Sequence, residues 1–181
     1  MLIVVYEPAP PRCIAEVLGF LQPGVRSYAT GDPSETGATR TRMTAAKNES
    51  RNEFLVRQFF ETLSTGDLEA LRRLFHADAS WEATATTIPG SGVTKGRDKI
   101  IDEFLAPVRG LFEPGDPKAV VHRIFSNGEW VAAETTGLGM LSNGNEYHNR
   151  YAWIFEIRDD KIYALREYMD SHYILKQLKM L

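Results

Sequence analysis

From Ser50 onward the apolar positions fall at helical spacing. Phe54, Leu55, Phe59 and Leu63 recur at three- and four-residue steps, and Val56 and Phe60 widen the stripe, which predicts an amphipathic helix. Gly66 ends it, Asp67 caps a second helix, and Leu68, Leu71, Leu74 and Phe75 form that helix's apolar face. Asp78–Ala83 reads as a strand, followed by a Thr/Gly/Pro loop through Gly96. A third helix starts at Asp98 and presents Ile101, Phe104, Leu105, Val108, Leu111 and Phe112, with Pro107 expected to kink or divide it. The remainder reads as strand. Ala119–Phe125 and Glu129–Met140 flank Ser126-Asn127-Gly128, and Asn143-Gly144 joins the long strand to Tyr147–Ile157. Asn-Gly pairs are strong hairpin signals. Asp159-Asp160 then turns the chain into Ile162–Met169, and Gly137 and Gly139 predict a bend or bulge in the long strand.

Helices first and an antiparallel meander afterwards predict an α+β domain, with helices covering a curved sheet and closing an apolar pocket. Tyr151–Phe155 is apolar on both faces, the mark of a central strand covered on both sides. One cover is the helical layer. The other is expected to be a second copy of the chain, so the expected assembly is a homodimer.

Composition divides the chain in two. Residues 1–42 hold five of the nine prolines and end in a polar Gly/Thr/Ser stretch without periodicity. They are expected to form a flexible extension, with a short helix possible at Cys13–Leu21, and residues 43–181 the single domain. A linker, a targeting tail, or a start codon assigned too far upstream would each explain the extension, and the last is favoured. The net charge of −3 favours neither nucleic acid nor an anionic membrane. Cys13 is the one cysteine, so neither a disulfide framework nor a thiolate cluster is expected. The four histidines are scattered without ligand spacing, so no metal site or cofactor is expected. The apolar start Leu2–Tyr6 lacks a basic leader and makes a poor signal peptide, leaving the cytoplasm as the expected location.

The sharpest sequence signal is Tyr147-His148-Asn149-Arg150-Tyr151, continuing through Phe155-Glu156-Ile157 and Lys161-Ile162 to Arg166-Glu167-Tyr168-Met169-Asp170. With the order of elements, these residues resemble the nuclear-transport-factor-2-like or SnoaL-like superfamily over roughly residues 52–173. The motif is most similar to the phenazine-biosynthesis branch. The resemblance implies a conical, cystatin-like α+β roll with a deep pocket and usually a dimer. The scaffold also serves polyketide cyclases, ketosteroid isomerase and limonene epoxide hydrolase, so it implies no one chemistry. The position matching ketosteroid isomerase's general base is Ala83. Those matching the Arg-x-Asp pair and final acid of limonene epoxide hydrolase are Glu134, Thr136 and Glu167. The acid-base glutamate of the phenazine branch matches Glu167, whereas its pocket histidine corresponds approximately to Glu103.

Strand alternation, aligned on the resemblance, adds a candidate pocket. Leu165, Glu167 and Met169 face inward on the last strand, opposite Ile162, Ala164, Arg166 and Tyr168. Asn149, Tyr151 and Trp153 face inward on the preceding strand, and Glu134, Thr136 and Leu138 on the long one. Trp81, Phe104, Val108 and Phe112 complete the walls, with His122 as a further polar group. Glu167 and Glu134 are the candidate catalytic carboxylates, and the others are expected to bind substrate.

The same residues also fit structural roles. Glu167 can pair with Arg150 or Arg166 at an interface, a one-residue slip turns Glu134 outward, and Trp81, Tyr151 and Trp153 suit a plain aromatic core. Pro89-Gly90-Ser91-Gly92 lacks the strand-turn-helix context of a nucleophile elbow. Two functions stay open. One is a cofactor-free acid/base enzyme for isomerisation, cyclisation, condensation or hydration of a small apolar carbonyl-type metabolite. The other is a non-catalytic ligand-binding or dimerisation domain with the same pocket.

Overall fold

Two capped helices open the fold. In a computed structural model, which describes residues 50–86, 88 and 90–180, α1 spans Arg51–Thr65 and α2 spans Leu68–Leu74. Ser50 and Glu53 form a reciprocal capping box at the start of α1, and Gly66 ends it in a left-handed conformation (φ 78°). Asp67 caps α2 by accepting from the Ala70 N–H at 2.8 Å. The sequence-predicted extension and its Cys13–Leu21 helix lie outside the described residues.

Among the described residues the sheet has six strands in the order β2-β1-β6-β5-β4-β3. They are β1 (Phe75–Ala83), β2 (Gly92–Lys95), β3 (Lys118–Asn127), β4 (Trp130–Met140), β5 (Glu146–Arg158) and β6 (Lys161–Met169). All pairings are antiparallel except that of β1 with β6. Phe75, expected at the end of α2, is instead the first residue of β1. The short β2 falls in the stretch expected to be loop, where Gly92-Val93-Thr94-Lys95 is too brief to carry an alternation signal.

Between β2 and β3 the chain is helical in three pieces: α3 (Arg97–Lys99), a π-helical stretch (Ile100–Leu105) and α4 (Ala106–Arg109). Pro107 sits at the start of α4, where its missing N–H costs least. The wide π turn just before it is the form that the expected division takes. A last helix, α5 (Ser171–Gln177), capped by Asp170, was not anticipated from the sequence.

The turns refine the hairpin expectations. Asn127 pairs with Trp130, so the β3–β4 turn is Gly128-Glu129, one residue later than the Asn-Gly pair. Asp159 and Asp160 both have positive φ (49° and 55°), the geometry of a two-residue hairpin turn matched to strand twist. β4 and β5 pair without interruption from Trp130↔Glu156 to Met140↔Glu146, so no bulge marks Gly137 or Gly139 in that pairing. Register breaks fall elsewhere, in β1 between Phe75 and Ser80, in β3 between Val121 and Arg123, and in β5–β6 between Glu156 and Ile157. The last turns Ile162 inward, where it is fully buried, against the expectation that it faces out.

The core is aromatic. Phe59 and Phe60 from α1 meet Phe75 and Trp81 of β1 and Trp153 and Phe155 of β5, mostly edge to face at 5–6 Å. Burying a phenylalanine of this kind contributes about 1.5–3 kcal/mol. Phe54, expected in the α1 stripe, instead lies on the exposed side. Beyond Phe59 and Phe60, α1 is fixed at its C-terminal end, where Arg109 donates to the Leu63 carbonyl (2.8 Å) and Lys118 to that of Ser64 (2.9 Å). Cations are favoured at that end of a helix. Among the described residues no helix is long and apolar enough to cross a membrane.

Candidate active site

The inner face of the sheet and the helices above it enclose a cavity of about 480 Å³, a volume suited to a small molecule. Phe104, Val108 and Phe112 form one wall. Trp81, Thr135, Gly137, Tyr147, Tyr151, Trp153, Glu167 and Met169 form the floor, and Ile174 and Leu178 close the far side.

Glu167 is the buried carboxyl of this cavity. Its Oε2 accepts from Trp81 Nε1 at 2.9 Å. No hydrogen bond reaches Oε1, yet every enclosed side-chain oxygen and nitrogen among the described residues is satisfied, so Oε1 is the accessible oxygen. The backbone of Glu167 is pinned as well, its carbonyl accepting from the Thr84 N–H (3.0 Å) and hydroxyl (2.8 Å). Burial disfavours the charged form and raises the carboxyl from 4.5 to about 7, against the smaller opposing effect of the Trp81 hydrogen bond.

Two tyrosines add polar surface to the floor. Tyr147 and Tyr151 share a hydroxyl–hydroxyl hydrogen bond, and Asn149 Nδ2 donates to Tyr147 at 3.3 Å. Burial raises both phenols, Tyr147 to about 12, and the nearby Glu167 charge pushes the same way. Both therefore stay protonated at neutral pH. Gly137 makes room for the pair, because a Cβ there would lie 3.1 Å from the Tyr151 ring and 3.3 Å from that of Tyr147. Trp153 Nε1 donates to Thr135 at 2.8 Å, both side chains being buried.

Of the residues singled out from sequence, Glu167, Trp81, Phe104, Val108, Phe112, Tyr151, Trp153 and Met169 come together around the cavity. Asn149 is buried behind the tyrosines, and Leu165 belongs to the aromatic core. Glu134, Thr136, Leu138 and His122 are corrections. The alternating buried residues Val131, Ala133 and Thr135 set the inward face of β4, so Glu134 and Leu138 are exposed on the opposite face and Thr136, though buried, lies on that face too. There Glu134 pairs with Arg123 at 2.7 Å and Thr136 hydrogen-bonds His122 at 2.7 Å. Alternation could not choose between the two β4 faces, since Val-Ala-Thr-Gly and Ala-Glu-Thr-Leu are nearly as apolar as each other. The His122 reversal follows from the register break beside it. Thr135 and Tyr147 were missed, the first through that parity and the second although it stands in the family motif. Glu103 is exposed at the cavity mouth. Arg166 pairs with Glu82 (3.3 Å), and Arg150 is exposed among the residues of the outer groove, so neither arginine neutralises Glu167 within the chain. Among the described residues no group of three or more His, Cys, Asp or Glu side chains is disposed to hold a metal ion.

Helices packed on a curved mixed sheet, with a lined cavity between them, define an α+β roll of the nuclear-transport-factor-2-like class. The model of the SnoaL-like domain matches residues 56–165, more than half of the chain, and the chain belongs to that family. No curated protein matches the sequence. Among solved structures, an NTF2-like protein of unknown function from Burkholderia pseudomallei is similar at 17% identity and TM-score 0.64, over 71% of this chain and 97% of that one. An NTF2-like protein from Anabaena variabilis shares 26% identity with TM-score 0.59, over 71% and 96% of the two chains. An LEH-like epoxide hydrolase from M. tuberculosis shares 20% identity with TM-score 0.58, over 72% and 90%.

The shifted carboxyl makes stability depend on pH. The folded state holds the Glu167 proton more tightly than the unfolded chain does, so this group's contribution is full below about pH 4.5 and is lost as pH rises through about 7. The loss approaches about 3 kcal/mol above that point. Glu167→Gln removes the titration, so the variant should gain on the wild type between about pH 5 and about pH 8 in urea unfolding. A stability difference that does not change with pH contradicts the shift.

Proposed function

We propose that the protein is a cofactor-free acid/base enzyme acting on a small, largely apolar carbonyl-type molecule, with Glu167 as the proton-transfer group. The observation that carries this is a buried carboxyl with one free oxygen, set in an aromatic cavity where burial pushes its pKa up to about 7. Such a group holds comparable amounts of acid and base at neutral pH, the condition for taking a proton from carbon and returning it. Ala83, matched by resemblance to ketosteroid isomerase's base, is the Cα partner of Glu167 on the neighbouring strand. A carboxyl is thus available one strand away from that position. The inward positions of β4 near it are Ala133 and Thr135, which offer no counterpart to an Arg-x-Asp pair and argue against epoxide hydrolysis by that route. With Glu134 on the other face, the proton taken and the proton returned pass through one carboxyl, which favours isomerisation, cyclisation or condensation over hydration.

The outer sheet face supports a homodimer. It exposes Phe125 (55%), Trp130 (43%), Tyr168 (45%) and Val120 (41%), with Arg123, Glu134, Arg150 and His148 nearby. An apolar face carrying both signs of charge suits a two-fold contact with a second copy. Sedimentation at micromolar concentration should give twice the chain mass, and a clean monomer overturns the dimer.

For the enzyme itself, Glu167→Gln keeps shape and the ability to accept from Trp81 but cannot transfer a proton. Turnover of any substrate found should fall by roughly 10²–10⁴-fold, with ligand binding retained. Unchanged turnover removes Glu167 from the chemistry, and a ligand bound without turnover in the wild type favours a binding domain.

A further inference from the structure

The cavity floor holds more hydroxyl protons than acceptors for them. Trp81 spends its N–H on Glu167, and Trp153 spends its own on Thr135. Asn149, behind the floor, is fully used. Its Oδ1 accepts from the Arg150 backbone N–H at 2.9 Å, and its Nδ2 donates to the Asp170 carbonyl and the Tyr147 hydroxyl, both at 3.3 Å. A backbone N–H only donates and a carbonyl only accepts, so the amide has one orientation and offers the tyrosines no acceptor.

Tyr147 and Tyr151 carry two hydroxyl protons and share one hydrogen bond. Whichever of them donates, the other's proton has no partner among the described residues. Both tyrosines line the cavity, so the pair offers it one O–H in either arrangement. Thr135 is the second case. Its oxygen accepts from Trp153 Nε1 at 2.8 Å, but a hydroxyl also has a proton to place, and no hydrogen bond takes it. Thr135 is the Cα partner of Tyr151 on the neighbouring strand, and both line the floor. Glu167 Oε1 takes neither surplus proton. Arg109 and Lys118, the cations of the lining, are bound to the Leu63, Asp116 and Ser64 carbonyls. An enclosed O–H without an acceptor is unfavourable, and an oxygen on a ligand is what relieves it.

We propose that the cavity takes a dicarbonyl compound, a diketone or ketoester on an apolar frame, with one oxygen on the Tyr147–Tyr151 pair and the other on Thr135. The inference rests on the proposed carbonyl-type ligand and narrows it from one acceptor oxygen to two. It also suits the proposed chemistry. Removing a proton from carbon beside a carbonyl puts negative charge on the carbonyl oxygen, and O–H donors already in place stabilise that charge. The frame packs among Trp81, Phe104, Trp153 and Met169.

The test titrates the full chain by NMR with three probes on one frame: 2,2-dimethylindane, 2,2-dimethyl-1-indanone and 2,2-dimethyl-1,3-indanedione. The methyl groups block ionisation of the dione. At about pH 8.5 Glu167 is mostly ionised and does not donate. The dione should bind the wild type roughly three- to tenfold more tightly than the monoketone, the effect of one further neutral hydrogen bond. Weaker or equal binding of the dione means that its second oxygen meets no donor, and overturns the inference. Thr135→Val and the double variant Tyr147→Phe/Tyr151→Phe should each abolish the dione's advantage. Tyr147→Phe or Tyr151→Phe alone leaves one O–H and should keep it. An advantage that survives Thr135→Val or the double variant, or that either single tyrosine variant removes, overturns the inference. Retained binding of the hydrocarbon shows that a variant is folded. Infrared spectra of the dione bound to the wild type need no variant: both carbonyl stretches should fall below their frequency in alkane solvent, and an unshifted one overturns the inference. If the wild type binds none of the three probes, or the hydrocarbon alone, the carbonyl-cavity proposal itself falls and takes the inference with it.

Discussion

The hydrogen bond from Trp81 Nε1 to Glu167 joins the two halves of this molecule's physics. Trp81 is an aromatic core residue, packed against Phe59, Phe75, Phe104 and Trp153. Its one polar atom is spent on the carboxyl. That bond crosses the parallel β1–β6 pairing, where Ala83 lies beside Glu167, so the strand order that completes the sheet also places the acid. A carboxylate among so many rings is costly, and the single donor offsets only part of that cost. The result is a group kept partly neutral at ordinary pH.

The other polar side chains of the cavity floor are bonded to one another. Trp153 donates to Thr135, and Tyr147, Tyr151 and Asn149 form a chain. The small residues of β4, Ala133, Thr135 and Gly137, leave room above the sheet for these large side chains. Small residues on one strand and large ones on its neighbour are what hollow out a cavity while the aromatic cluster beneath stays filled. The proposed chemistry depends on this division, since proton transfer by a lone carboxyl needs both an apolar setting and space for a molecule beside it.

Much of this was legible in the sequence because the strongest patterns were local. Ser50, Gly66, Asp67 and the Asp159-Asp160 turn each mark a boundary through chemistry that acts within a few residues. On β5 and at the end of β6, alternation fixed which residues share a face and the family resemblance chose the inward one, which placed Tyr151, Trp153 and Glu167 at the cavity. Alternation failed where a register break intervenes, at His122 and Ile162, and where both faces of a strand are alike, at Glu134, Thr136 and Leu138. Those features depend on pairing with a distant strand, which no short window contains. The α5 helix, which brings Ile174 and Leu178 to the cavity, escaped notice because its seven residues are too few for a clear period.

The central claim is that burial has turned Glu167 into a group that gains and loses its proton near neutrality. The direct measurement is a pH titration of the glutamate side-chain carboxyl resonances in the wild-type chain, with Glu167 assigned by its absence from Glu167→Gln. Burial in the aromatic cavity should give Glu167 a midpoint near 7. A midpoint near the ordinary 4.5 would contradict it.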